Sequence, residues 1–160
     1  MQTQSHKQSG IVLIEALIGI LIFSLGVLAI IALQTVAISS QSDAQFRVEA
    51  ANFANRLLGD ITLNVDRSSA ANLQTSLAAF EHRRTGEDCN AFTGTDSANA
   101  IVTNWLASVT AAGTGLPGGT TAMQQVRITT GTFNQVRITV CWRGPNDNRP
   151  RRHQVISYIN

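Results

Sequence analysis

The chain has 160 residues, 44% of them hydrophobic and only 14% charged, with a formal net charge of +2. That length limits it to one small globular domain beside any membrane segment, and the near-balanced charge argues against bulk electrostatic capture of nucleic acid, which needs a clustered basic face. Two cysteines and three histidines are present, with no C-x-x-C pair and no metal-ligand spacing.

The chain opens on a polar stretch, Met1 to Ser9, that carries His6 and Lys7 and ends at Gly10. An apolar run from Ile11 to Leu33 follows, and its only charge is Glu15. At ~1.5 Å per residue such a helix spans roughly 35 Å, enough to cross the ~30 Å hydrocarbon core of a bilayer. Glu15 lies four residues inside the run, so it either snorkels to the headgroups or serves a partner within the membrane. A secretory signal peptide places a small-residue cleavage site after its apolar stretch. None follows here, so processing is expected before the run, leaving it attached. Gly19 and Gly26 permit close helix approach in lipid.

Residues Ala37 to Thr62 turn amphipathic, with Phe46, Ala50, Phe53, Leu57 and Ile61 on one face and Arg47, Glu49 and Arg56 opposite. One helix is therefore expected over 11–62, its membrane span 11–33, with the head over 63–160. Within the head, Leu73 to His82 reads as a short helix. Ala98 to Val109 reads as a second, with Ile101, Trp105, Leu106 and Val109 as its stripe. The glycine-rich stretch Ala112 to Gly119 lacks the strand, helix and Lys of a phosphate loop and is expected to be a turn. Period-two alternation predicts strands over Gln124–Thr130, Gln135–Trp142 and Gln154–Ile159. Thr130 to Asn134 makes a hairpin connection, and Arg143 to Arg152 a longer one. If Cys141 lies on the outer face of this sheet, Cys89 can meet it only from a loop laid over the sheet.

Gly10-Ile11-Val12-Leu13-Ile14-Glu15 resembles the class III leader junction of type IV prepilins. Trp105 to Val109, Leu116-Pro117-Gly118-Gly119 and Val136-x-Ile138-x-Val140 ending in Trp142 narrow this to a resemblance to the PilV-type minor pilins. The resemblance implies an α+β, type IV pilin-like fold: a long N-terminal membrane-spanning helix packed on a small antiparallel sheet. It implies cleavage between Gly10 and Ile11 by a prepilin peptidase that removes residues 1–10, with N-methylation of Ile11. Most members have Phe at that position, and this chain has Ile. Glu15 is implied to set subunit register by meeting the N-terminal amine of a neighbour. The implied setting is the inner membrane, as a bitopic protein with a periplasmic head, and then the cell-surface pilus. Implied partners are other minor and major pilins, the prepilin peptidase and the inner-membrane assembly platform, with no cofactor, no metal and no enzymatic activity. The implied role is to prime pilus assembly at low copy, near the tip, and so to influence adhesion and twitching motility. A type II secretion pseudopilin, and an adhesin or DNA-uptake pilin, are the alternatives.

An exported head implies an oxidising compartment, where Cys89 and Cys141 are expected to form a disulfide rather than stay as two buried thiols. Arg143, Arg149, Arg151 and Arg152 crowd the last connection and are the candidates for partner or ligand contact, with Arg83 and Arg84 a second small basic group. His82 and His153 have no Cys or carboxylate at ligand spacing, and no G-x-S-x-G is present.

Overall fold

The computed structural model describes residues 9–145 and 147–160. The expected leader therefore lies, through residue 8, outside the described residues. The chain divides into two compact units at Ser42 and Asp43.

The N-terminal unit is one stretch of α1, Ser9–Asn64. It has no proline to break the ladder, and two of its hydroxyls are satisfied within the helix. Ser24 Oγ donates to Ile20 O at 2.7 Å and Thr35 Oγ1 to Ile31 O at 3.1 Å. Every side chain from Gly10 to Gln41 is exposed, Ile11 at 73% and Phe23 at 72%. An apolar surface of this extent needs lipid or another helix to cover it. A membrane anchor is the simplest cover.

In the second unit α1 changes character. Ala50, Ala54, Leu57 and Ile61 are fully buried, and Phe46 and Phe53 pack at the edge of the same core. The expected stripe is present but centred on Ala54, which the spacing did not single out. Two alanines let the helix backbone approach its neighbours closely. Of the expected polar face, Arg47 and Arg56 are exposed while Glu49 is half-buried. α1 ends two residues beyond expectation, at Asn64, whose Nδ2 donates to Asp60 O at 2.8 Å.

α2 spans Ala70–Ala78, not Leu73 to His82. Ser69 Oγ accepts from Asn72 N at 3.1 Å and starts the helix early. The helix stops early because the chain tightens through Phe80 N to Leu77 O and Glu81 N to Ala78 O, and His82 is used as a β-bridge to Val126. α3 spans Ala100–Val109, capped by Asn99 Oδ1 accepting from Ile101 N at 2.9 Å. Its buried stripe is Val102, Trp105, Leu106 and Val109, with Ile101 at the margin.

Three antiparallel strands follow in sequence order: β1, Gln125–Thr129; β2, Asn134–Trp142; β3, Arg151–Ile159. β1 is shorter by one residue at each end than the alternation suggests, and β2 starts one earlier. β3 starts three residues before the expected Gln154, with Arg151 opposite Trp142 and Arg152 opposite Cys141. The inner face, Val126, Ile128, Val136, Ile138, Val140 and Trp142, shares one core with α1, α2 and α3. The arrangement is α+β, a long apolar N-terminal helix followed by a small antiparallel sheet, as the pilin-like expectation required.

Candidate functional site

Gly10 and Ile11 sit in the first turns of α1. A Cβ at Gly10 would meet nothing within 4 Å, so the fold places no demand for glycine there. Glycine costs a helix about 1 kcal/mol relative to alanine, so any requirement for it comes from outside the chain. Glu15 is exposed and makes no ion pair or hydrogen bond among the described residues. The next charged residue along the chain is Asp43. Glu15 is therefore a lone carboxylate on an apolar rod.

In the head, Cys89 and Cys141 are joined in a disulfide, with 5.9 Å between their Cα atoms and a sequence separation of 52. The alternation of β2 turns Cys141 away from the core of Val140 and Trp142. It meets the 82–97 loop on the outer face and packs with Cys89, Phe92 and Met123. Polar side chains hold the rest of that loop. Gln125 Nε2 donates to the carbonyls of Arg83, Thr85 and Gly86 at 2.8, 3.4 and 3.2 Å. Gln124, fully buried, gives Nε2–H to Cys141 O at 2.9 Å and takes Cys141 N–H on Oε1 at 3.0 Å. Its amide thus continues the sheet ladder one step beyond β1. The Leu116-Pro117-Gly118-Gly119 stretch is a turn: Pro117 O accepts from Arg143 N at 2.9 Å. Gly118 has φ +58, and a Cβ there would lie 2.7 Å from Arg143 O.

The arginines separate into two kinds. Arg151 is internal in function: its Nε and Nη2 each reach Asp147 at 2.8 Å, and its Nη1 pairs with Asp43 on α1. Asp43 also pairs with Arg47 at 3.1 Å. Arg152 Nη1 donates to Glu87 O at 2.9 Å, tying β3 to the overlying loop. Arg83 and Arg84 are likewise engaged, with Asp96 at 2.7 Å and Glu81 at 3.2 Å. Arg143 and Arg149 are exposed, and their side chains have no hydrogen bond or ion pair among the described residues. The expected four-arginine cluster is thus corrected to two free guanidinia, one partly engaged and one committed to the fold. The reason is that Asp147, four residues before it, and Asp43, far away in sequence, both converge on Arg151.

The hydrogen bonds from Arg151, with help from Gly144 N–H, hold the Asp147 carboxyl below the usual range. A depressed carboxylate contributes stability that is complete above its ordinary value, about 4, and is lost as pH falls through the folded value. Arg151→Gln should therefore lower the melting midpoint of the head at neutral pH. The gap from wild type should close as pH drops below about 4. Both tryptophans of the chain are in the core, so fluorescence melts over a pH series measure this directly.

His82 is 1% exposed and fully engaged. Ser97 N donates to Nδ1 at 3.2 Å and Nε2–H donates to Thr121 O at 3.1 Å, which fixes the tautomer. Trp105 Nε1–H donates to Phe53 O at 3.0 Å. Among the described residues no group of three His, Cys, Asp or Glu side chains is placed to hold a metal ion. No family model, no curated protein and no solved structure matches this chain.

Proposed function

We propose that the chain is a minor subunit of a type IV pilus, of the PilV type. It is inserted in the inner membrane with its head in the periplasm, is cut after Gly10, and enters the filament at low copy to prime assembly with other pilins. The observation that carries this is the lone Glu15 at the start of a fully exposed apolar helix, five residues after a glycine that the fold does not need. A carboxylate in that setting requires a cation when helices bundle. Beyond Lys7 the chain has no lysine and Arg47 is its first arginine. The amine that cleavage creates on Ile11 is thus the cation other copies, or similarly cut partners, bring to that depth. The disulfide fits a head that works in an oxidising compartment.

Cleavage is the first test. Gly10→Val should cut processing by a prepilin peptidase at least about tenfold, the effect of ~1.4 kcal/mol of steric conflict in the peptidase groove. Intact mass measures this, and amine labelling adds a second reading. The precursor has the Met1 amine and Lys7, whereas a chain beginning at Ile11 has only its terminal amine, secondary if methylated. Normal maturation of Gly10→Val would refute the assignment.

A further inference from the structure

Among the described residues, β3 has a neighbouring strand on one side only. The direction of its free hydrogen-bonding groups follows from the far side of the sheet. His82 and Val126 exchange both backbone hydrogen bonds, at 3.0 and 2.9 Å, so Val126 turns its N–H and C=O away from β2. Ile138, opposite Val126, must then turn its own toward β3, where Val155 answers them. Alternation leaves the N–H and C=O of Arg152, Gln154, Ile156 and Tyr158 on the open edge. The side chains of these same four residues are exposed, Ile156 at 46% and Tyr158 at 59%.

Proteins usually guard an edge of this kind with short length, bulges, proline or charge. β3 runs nine residues in unbroken register, and past His153 it carries no charge and no proline. The edge is therefore open from Gln154 onward. Its two ends differ. Arg149 and Arg152 are exposed at the start of β3, where Asp43 and Asp147 are already bound by Arg151. At the other end Phe133, 65% exposed, sits in the turn beside Asn134, which pairs with Ile159.

We propose that this edge takes an extended segment of a partner protein as a fourth strand. The segment has apolar side chains at alternate positions beside Ile156 and Tyr158, and a carboxylate at the end that faces Arg149 and Arg152. Backbone pairing supplies the affinity, and the charge at one end fixes the strand's direction. Arg151 to Asn160 contains no Asp or Glu side chain, so the side chains of a second β3 offer the arginines no acidic partner. The inference stands apart from the cut at Gly10 and from the role of Glu15, since an uncut chain has the same edge.

The test uses the full chain in its own cell membrane, with the photoreactive residue benzoylphenylalanine in place of Tyr158 and the adducts mapped by peptide sequencing. The expected adduct lies in an alternately apolar segment with Asp or Glu at one end. Ile156→Pro removes an N–H that the edge offers and β2 does not use, so it should keep the fluorescence melt and reduce the adduct at least about tenfold. Arg149→Gln with Arg152→Gln removes two exposed guanidinia, one of which also bonds Glu87 O, and with the fluorescence melt unchanged should reduce the adduct several-fold, by less as salt is raised. If Ile156→Pro unfolds the head, the arginine pair decides alone. Adducts on lipid, on a second copy of β3 or on a segment without a carboxylate would overturn the proposal, as would no adduct or one undiminished by the arginine changes.

Discussion

Replacing Cys89 and Cys141 together by alanine should lower the unfolding midpoint of the head by roughly 10–20 °C. The bridge closes a loop of 52 residues in sequence separation, which in the chain-entropy account is worth about 4 kcal/mol. Set against a typical domain stability of ~5–15 kcal/mol, that is a large share. The loss should be local before it is global. The 82–97 loop would keep its bridge to Val126 and its contacts to Gln125, but would lose the one covalent tie across the outer face of β2. Limited proteolysis should then cut first between Arg83 and Asp96, while the α1 and β2 core resists longer. Tryptophan fluorescence of the full chain in detergent reports the global step, because Trp105 and Trp142 are buried at 4% and 0% exposure. A double variant that melts within a few degrees of wild type would show that the bridge adds little.

Glu15→Leu should leave insertion and cleavage intact and abolish incorporation into filaments. Removing the charge eases membrane residence, since an unpaired carboxylate inside an apolar run is costly to hold in lipid. Its loss is expected at the bundling step. A neighbour's amine left without its carboxylate in a low-dielectric bundle is destabilised by about 3–5 kcal/mol, two or more orders of magnitude in association. On the proposed reading the same penalty applies to any axial register that separates the pair, so the wild-type carboxylate should select one stagger of neighbouring helices. Crosslinking of mature Glu15→Leu to partner pilins, measured against wild type, checks this. Equal yields would remove Glu15 from assembly.

The parts of the fold governed by periodicity were legible from the residues. The amphipathic stretch of α1, the α3 stripe and all three strands follow the spacing of apolar residues, and Cys141 falls on the outer face because β2 alternates. What escaped depends on partners far away in the chain. His82 continues a helical pattern from Leu73, yet Val126 claims its backbone. Arg151 and Arg152 look like loop charges after Pro150. Cross-strand pairing with Trp142 and Cys141, and the carboxylates of Asp43 and Asp147, make them part of β3. Gln124 looks like an ordinary strand residue, and its side-chain amide stands in for backbone. The pairings of His82 with Val126, Gln124 with Cys141 and Arg151 with Asp43 leave no local trace, since they join residues between 17 and 108 positions apart. The same holds for the open edge of β3, whose outward-facing groups are known only once the bridge at His82 fixes the phase of the sheet.

The outer-face disulfide also bears on how the chain is made. Cys89 is synthesised long before Cys141, and the surface on which it comes to rest is built from strands that emerge after it. The two thiols meet natively only when β2 has paired with β1 and the 82–97 loop has settled across them. With only two cysteines in the chain, no wrong intramolecular pairing exists, and shuffling between isomers has nothing to correct. The biosynthetic requirement reduces to an electron acceptor that reaches the pair once the sheet has formed. Within one chain, the pair leaves a disulfide isomerase no wrong bond to resolve.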